Sequence, residues 1–374
     1  MTTTAYRPIT AAVTRGKGAP FVLEAAQIRS PRGDEVLVRI VATGMCHTDM
    51  IVRDQFYPVP LPAVLGHEGA GVVEAVGPLV KGLVVGDHVV MSYGHCGHCL
   101  SCGSGHTAYC QDFFGRNFSG ADPQGESALQ DQDGARLHDH FFAQSSFATL
   151  AISRENNAVK VSRDAPLELL GPLGCGIQTG AGAVINSLKV TPGSSFAAFG
   201  GGAVGLSAVL AARVAGATTI IAVDVVPSRL ALALELGATH VVNSLEADPV
   251  AVIRDITGGG VNFALESTGR PAVLRQAVDA LGSRGSLGVV GAPALGTSAE
   301  FDVNDLLLGG KTIRGIVEGD SVPQKFIPEL VSHYLQGRFP FDKLVKFYSF
   351  EDINQAAEDS EKGITLKPVI RIGN

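Results

Sequence analysis

The sequence predicts an α/β protein: a β-rich domain in two parts, with a doubly wound parallel-sheet domain inserted between them. Three observations carry that prediction. Short apolar runs punctuated by glycine fill the first third of the chain. Strands alternate with helices from about residue 180, and the end returns to mixed structure with a closing strand-like run. A length of 374 residues suggests two or three domains, and 45% hydrophobic with 17% charged residues excludes a disordered chain. The formal charge of −7, without any basic block, argues against nucleic acid or an anionic membrane as partner. The opening Met1-Thr2-Thr3-Thr4-Ala5-Tyr6-Arg7-Pro8 lacks the apolar core of a signal peptide, so a cytoplasmic protein with reduced thiols is expected. The uncharged run 196–212 has 17 residues, but Gly200-Gly201-Gly202 breaks it, so a buried βα unit explains it better than a membrane span.

In the first part, residues 35–42 mix strand-favouring residues with partial alternation after the turn signal Ser30-Pro31-Arg32-Gly33-Asp34. Residues 66–77 and 84–90 repeat that grammar, which suggests a small barrel or sandwich. In the second part, strands are expected at 195–199, 219–224, 261–265, 286–290 and 312–317, with helices at 206–215 and 228–236. The last strand-like run is 367–372. The expected domains are therefore 1–178 and 318–374 for the β-rich part and 179–317 for the nucleotide part.

Four of the six cysteines, Cys96, Cys99, Cys102 and Cys110, stand as C-x2-C-x2-C-x7-C. Zinc takes four soft ligands in a tetrahedron, and such spacing lets one loop wrap the ion. With all four positions filled by sulfur, no site remains for water, so this reads as a structural zinc. The rivals are an iron–sulfur cluster and a metal-free thiol loop. A ferredoxin-type run has different spacing and a proline after its last cysteine, where Gln111 stands here. His95, His98 and His106 lie in the same loop and read as bystanders. The other two cysteines, Cys46 and Cys175, sit like His67 in glycine-flanked loops. Two cysteines and a histidine make a catalytic zinc set with one open position, but taken singly such residues are as readily packing.

Gly66-His67-Glu68-Gly69-Ala70-Gly71 followed by Val85-Gly86-Asp87-His88-Val89, the four-cysteine loop, Gly174-Cys175-Gly176 and a glycine-rich nucleotide loop occur in one order. In that order they resemble the zinc-containing alcohol dehydrogenases of the medium-chain dehydrogenase family, over essentially the whole chain. Three stretches, at 46–55, 114–120 and 141–147, look like bacterial aryl-alcohol dehydrogenases, and terpenoid alcohol dehydrogenases share them. The resemblance implies a GroES-like catalytic domain and a Rossmann domain. It also implies reversible oxidation of a primary aromatic alcohol to its aldehyde with hydride transfer to NAD+, the alternative being the same chemistry on a terpenoid or straight-chain alcohol. It makes Cys46, His67 and Cys175 the ligands of a catalytic zinc, with Glu68 a carboxylate that can transiently join them. Asp49 becomes the partner that orients His67. The cysteine loop holds the second, structural zinc.

Gly200-Gly201-Gly202-Ala203-Val204-Gly205 satisfies G-x-G-x-x-G between an expected strand and helix. Gly200 permits the turn, Gly202 lets a pyrophosphate approach, and Gly205 permits close helix packing. Asp224 ends the next strand 19 residues after Gly205, placed to accept from the adenosine ribose hydroxyls. A carboxylate there repels a 2′-phosphate, and Val225 and Val226 supply no arginine, so NAD is favoured over NADP. By resemblance Arg229 meets the ribose beside Asp224, and His47 and Lys367 contact the pyrophosphate. Thr179 and Val204 fall where the family packs near the nicotinamide, and Val290 and Ala292 are further cofactor-binding positions. Thr48 matches the hydroxyl that binds the alcohol and passes on its proton. The family's histidine three residues later is here Ile51, which carries no proton. Tyr93, Phe141 and Phe142 fall where the family lines its substrate pocket, against a plain reading as core. A homo-oligomer, dimer or tetramer, pairing near residues 291–317 is implied. The other function classes are a catalytically silent protein of this fold, which retention of Thr48 and every ligand opposes, and a zinc-ribbon nucleic-acid module, which the charge opposes.

Overall fold

A computed structural model describes residues 6–373; the leader reading at Met1–Ala5 lies outside the described residues. The chain divides into two units. One runs through Cys175 and takes back Val322–Leu335 and everything from Asp342 onward; the other is Gly176–Ser321 with Gln336–Phe341.

The first unit is built on two sheets. A five-stranded sheet starts from the hairpin Tyr6–Thr14 and Val22–Arg29. The seven-stranded sheet centres on Glu35–Gly44, which pairs with Glu68–Val76 along its length, with Leu150–Arg154 at its start and with Lys367–Arg371 at its end. A strand with neighbours on both edges and a core on both faces reads as a nearly continuous apolar run, as Val36-Leu37-Val38-Arg39-Ile40-Val41-Ala42 does. Its register sets the site. Gly44 pairs with Glu68 on one edge and with Val369 on the other, so residues just past Gly44 share one sheet end with His67, Glu68 and Lys367.

The strand expected at 84–90 is shorter, His88–Met91. Gly86 takes φ +90° and Asp87 Oδ2 accepts from the Val84 amide at 3.0 Å, closing a turn that leaves Val84 and Val85 exposed.

The second unit holds six parallel strands. Across the sheet they run His240–Asn243, Thr219–Asp224, Ser195–Phe199, Val261–Glu266, Leu281–Val289 and Thr312–Gly315. Read in chain order this is 3-2-1-4-5-6, the dinucleotide-binding order, with its switch point between Ser195–Phe199 and Val261–Glu266. Helix Gly176–Gly182 belongs to this unit because a Cβ on Gly180 would stand 2.0 Å from the Val204 carbonyl, backbone against backbone. That contact moves the boundary from the expected 178/179 to 175/176. At the other end, Glu318–Ser321 stays with this unit, seated on the same helix.

Candidate active site and metal centres

Cys46, His67, Glu68 and Cys175 bring one ligand atom each within 4.8 Å of one another. Cys46 caps helix His47–Arg53, and Cys175 follows the tight turn Gly171–Gly174. Asp49, fully buried, ties the set together. Its Oδ2 accepts from the Cys46 amide at 2.8 Å, while Oδ1 accepts from the Gly66 amide at 3.1 Å and faces His67 Nδ1 at 3.0 Å. That pairing fixes the proton on Nδ1 and leaves Nε2, buried and without a partner, as the lone pair offered to the cluster. Burial pulls the His67 ring downward, but Asp49 and Cys46 outweigh it and hold its pKa well above the ordinary value, so a cation at Nε2 binds in competition with a proton. The hydrogen bond from Cys175 leads in holding the Cys46 thiol well below its ordinary range, against burial. An orphaned imidazole nitrogen beside two sulfurs fits a soft divalent cation, and zinc fits this donor set.

Lys367 lies in the same sheet end. Its Nζ donates to Glu68 Oε1 and Oε2 at 2.8 and 3.0 Å and to the Met45 carbonyl at 3.2 Å. Burial favours the neutral amine, yet Glu68 and Cys46 hold the ammonium above the usual lysine range. Burial raises Glu68, with Lys367 opposing. The structure thus engages Lys367, expected at a pyrophosphate, with Glu68. Thr48 is half-buried with Oγ1 3.7 Å from Cys46 Sγ, and His47 is exposed.

Aromatic rings pack around His67. Phe142 stacks on it with centroids 4.4 Å apart and planes at 26°, and Phe141 meets it edge-on at 5.2 Å. Phe113 and Phe118 pack edge-on against Phe142 at 6.4 and 5.2 Å, an extension that sequence reasoning missed. Tyr93 is fully buried, its hydroxyl 2.8 Å from Thr107 Oγ1. The segment carrying the two phenylalanines is strained: His140, Phe142, Ala143 and Ser145 all take φ between 50° and 58°. Gln144 pins it, its Nε2 donating to the His67 carbonyl at 2.9 Å and its Oε1 accepting from the Gly69 amide at 3.0 Å. Gln144 was also missed; a lone glutamine among phenylalanines and serines carries no motif.

The four loop cysteines also gather their sulfurs within 4.8 Å. Backbone amides of Gln111 and Cys102 lower the Cys99 thiol to about 6, whereas burial pushes Cys102 up to about 12. Four sulfurs this close ionise together only around a cation, so the donor set fits a closed structural zinc. His98 and His106 are exposed, with Nδ1 turned to the Cys96 carbonyl and to Ser104 Oγ.

In the second unit, Gly200 takes φ +106°, and a Cβ on Gly205 would stand 1.8 Å from the Gly200 carbonyl. Gly202 caps helix Ala203–Val214 and has open space where its Cβ would be, a cradle that fits a pyrophosphate. A cavity of about 290 Å³ lies over this turn, lined by Gly200, Gly202, Asp224, Arg229, Ser244 and Arg270 among others. Asp224 Oδ2 accepts from the Gly201 amide at 2.5 Å and Oδ1 from Val225 and Val226, with Arg229 at 3.9 Å. Val290 and Ala292 follow the strand Leu281–Val289, at the carboxyl end where such sheets take ligands.

Residues 32–163 match the alcohol dehydrogenase GroES-like domain, and residues 203–334 match the zinc-binding dehydrogenase domain. The chain is 50% identical over 361 residues to geraniol dehydrogenase of Castellaniella defragrans, covering 96% of each. It is 69% identical to the crystallised benzyl alcohol dehydrogenase of Acinetobacter calcoaceticus, with a TM-score of 0.96 over 98% of this chain and 100% of that one. An alcohol dehydrogenase zinc-binding domain protein of Burkholderia ambifaria is 74% identical, with a TM-score of 0.98 over 99% and 100%. Among the described residues no helix is long and apolar enough to cross a membrane. With both domains matched, both sulfur-rich donor sets assembled and relatives aligned nearly end to end, the chain belongs to the zinc-binding alcohol dehydrogenase family, whose cofactors are zinc and a nicotinamide dinucleotide.

Proposed function

We propose that this protein reversibly oxidises primary aromatic alcohols of the benzyl type to aldehydes, with NAD+ as hydride acceptor. The observation that carries the aryl preference is the aromatic packing at His67, where Phe142 lies flat on a metal ligand with Phe141, Phe113 and Phe118 behind it. Phe141, Phe142 and Phe118 are buried in the core beside the ligand set, where they exclude water, and such surroundings suit a flat aryl group. The 69% identity to a benzyl alcohol dehydrogenase supports the same reading. The second reading, a terpenoid allylic alcohol, draws on the 50% identity to a geraniol dehydrogenase.

Zinc at Cys46, His67 and Cys175 would supply Lewis acidity at an alcohol oxygen, and NAD+ in the glycine-rich cradle would supply the hydride acceptor. The remaining tasks fall to the chain. Asp49 orients Cys46 and His67 at once. The Thr48 hydroxyl, beside Cys46, takes the alcohol proton and hands it onward. Lys367 balances the charge of Glu68 next to the thiolates. The Asp224 carboxylate, which lines the cavity over the glycine-rich turn with Arg229 3.9 Å away, is the group that would accept from the ribose hydroxyls and disfavour a 2′-phosphate. None of the six cysteines is joined in a disulfide, which suits a reducing, cytoplasmic setting. A second copy of the chain is the proposed partner.

NADH formation from benzyl alcohol, geraniol and ethanol, with NAD+ and NADP+, before and after chelation, tests the proposal. Benzyl alcohol with NAD+ is expected to give the highest kcat/KM, and chelation to abolish it. A higher value for geraniol would transfer the assignment to terpenoid alcohols. Turnover on none of the three would sink it.

A further inference from the structure

The last strand of the parallel sheet, Thr312–Gly315, runs into a turn where Glu318, Gly319 and Asp320 take φ of 49°, 67° and 49°. Left-handed backbone at a non-glycine residue persists only where its surroundings over-determine it. Here they do. A Cβ on Gly319 would stand 2.4 Å from the Gln178 carbonyl, so the turn lies backbone to backbone on helix Gly176–Gly182. Ser321 Oγ bridges Gln178 Oε1 at 2.9 Å and the Glu318 carbonyl at 2.7 Å. Asn186 Nδ2 donates to the Gly319 carbonyl at 3.3 Å, and Arg314 pairs with Asp320 at 2.8 Å. These contacts fix one buried carboxylate. Glu318, 8% exposed, meets Gln178 Nε2 at 3.2 Å and Thr179 Oγ1 at 3.5 Å.

The position of that carboxylate is informative. Ligands of a doubly wound sheet lie outside the carboxyl ends of its strands. Glu318 follows Gly315 by three residues, on the opposite side of the switch point from Asp224. Asp224 marks the adenosine half, so Glu318 belongs to the other half. Thr179 is only half-buried, and its neighbour Gly180 abuts Val204 in the first turn of the helix that begins at the glycine-rich loop.

We propose that the Glu318 carboxylate, held against the Thr179 hydroxyl, selects the oxidised, positively charged nicotinamide over the reduced, neutral one. The proposal rests on the reading that this cradle takes NAD. A fixed negative charge in a partly buried crevice attracts a ring of charge +1 and is nearly indifferent to a neutral ring, so it acts on the ratio of the two affinities. Glu318→Gln keeps the size and an acceptor for Thr179 while removing the charge; Glu318→Asp retains it.

NADH binding is read by its fluorescence and NAD+ binding by displacement, on the zinc-loaded proteins. Glu318→Gln is expected to raise the Kd for NAD+ about tenfold relative to that for NADH, and Glu318→Asp to keep the ratio within about twofold of wild type. Equal shifts for both forms, or none, would overturn the proposal. Should melting curves report that the amide variant is unfolded, Glu318→Ala gives the same reading independently. Failure of the wild type to bind NADH would instead overturn the NAD assignment, so the two failures are distinct.

Discussion

Because Asp49 accepts from the Cys46 amide with one oxygen and from Gly66 and His67 with the other, an asparagine there keeps one acceptor and turns the second into a donor. One ligand loses its orientation whichever way the amide turns. Asp49→Asn is therefore expected to weaken zinc binding at the Cys46 site by about 10- to 100-fold. The cysteine-loop zinc should stay, so metal analysis after mild chelation should fall from two zinc per chain to one. Loss of both metals, or of neither, would contradict this. A second residue-scale prediction concerns Ile51, one turn beyond Thr48 on helix His47–Arg53. An apolar side chain cannot relay a proton from Thr48, so Ile51→His should raise the rate of alcohol oxidation selectively below about pH 7, where imidazole works as a base. An unchanged pH–rate profile would remove the idea. The residues legible in the sequence were those whose chemistry is spelled by spacing: the paired C-x2-C steps, G-x-G-x-x-G with Asp224, and the glycines around His67. Gln144 and Glu318 were not legible, because each acts through a backbone conformation that no local pattern announces. Lys367 was legible as a basic residue at the site, but its engagement with Glu68 depends on pairing between strands some 300 residues apart in sequence.

At the scale of elements, the segment from Asp139 to Ser146 is held by a buried charge pair at its base. His140 Nδ1 lies 2.6 Å from Asp139 Oδ1, both nearly fully buried, with Glu35 and Arg29 adding their fields. Burial disfavours the imidazolium, but Asp139 outweighs that penalty and raises its pKa above the ordinary 6.5. A group raised on folding adds stability that is complete below the unfolded pKa and disappears as pH rises through the folded value. His140→Gln should therefore lower the melting temperature most near pH 5.5, with the gap to wild type narrowing as pH rises past the folded pKa. A gap that widened with pH would reverse the sign of the argument. The same segment explains an uneven legibility of elements. Parallel strands such as Thr219–Asp224 declare themselves as bounded apolar runs, and the expected and observed limits coincide. A loop of left-handed residues that carries Phe141 and Phe142 to His67 has no periodicity to read. The turn at Val84–Asp87 misled for a related reason: valines favour strands, but Gly86 and the Asp87 carboxylate close a turn instead.

For the molecule as a whole, the edge of the parallel sheet poses a problem of surface chemistry. Strand Thr312–Gly315 is the last in the order of its sheet, and helix Val303–Gly309 before it buries none of its residues within the chain. Yet Val303, Leu307 and Leu308 are 74%, 70% and 84% exposed. A helix gains most of its stability from a buried apolar face. The second copy proposed above as partner would cover that face if joined about a two-fold axis so that leucines meet leucines. The overall charge of −7 opposes association only weakly at physiological salt, where exposed charges are screened beyond ~8 Å. Light scattering during size exclusion should therefore report a dimer or a larger even assembly for the wild type. Leu307→Asp with Leu308→Asp places two carboxylates in the apolar contact and should shift the protein to monomer at micromolar concentration, with zinc content unchanged because neither zinc set lies in this region. A wild type that elutes as a monomer, or a double variant that keeps the wild-type mass, would mean that something other than a second copy covers this face.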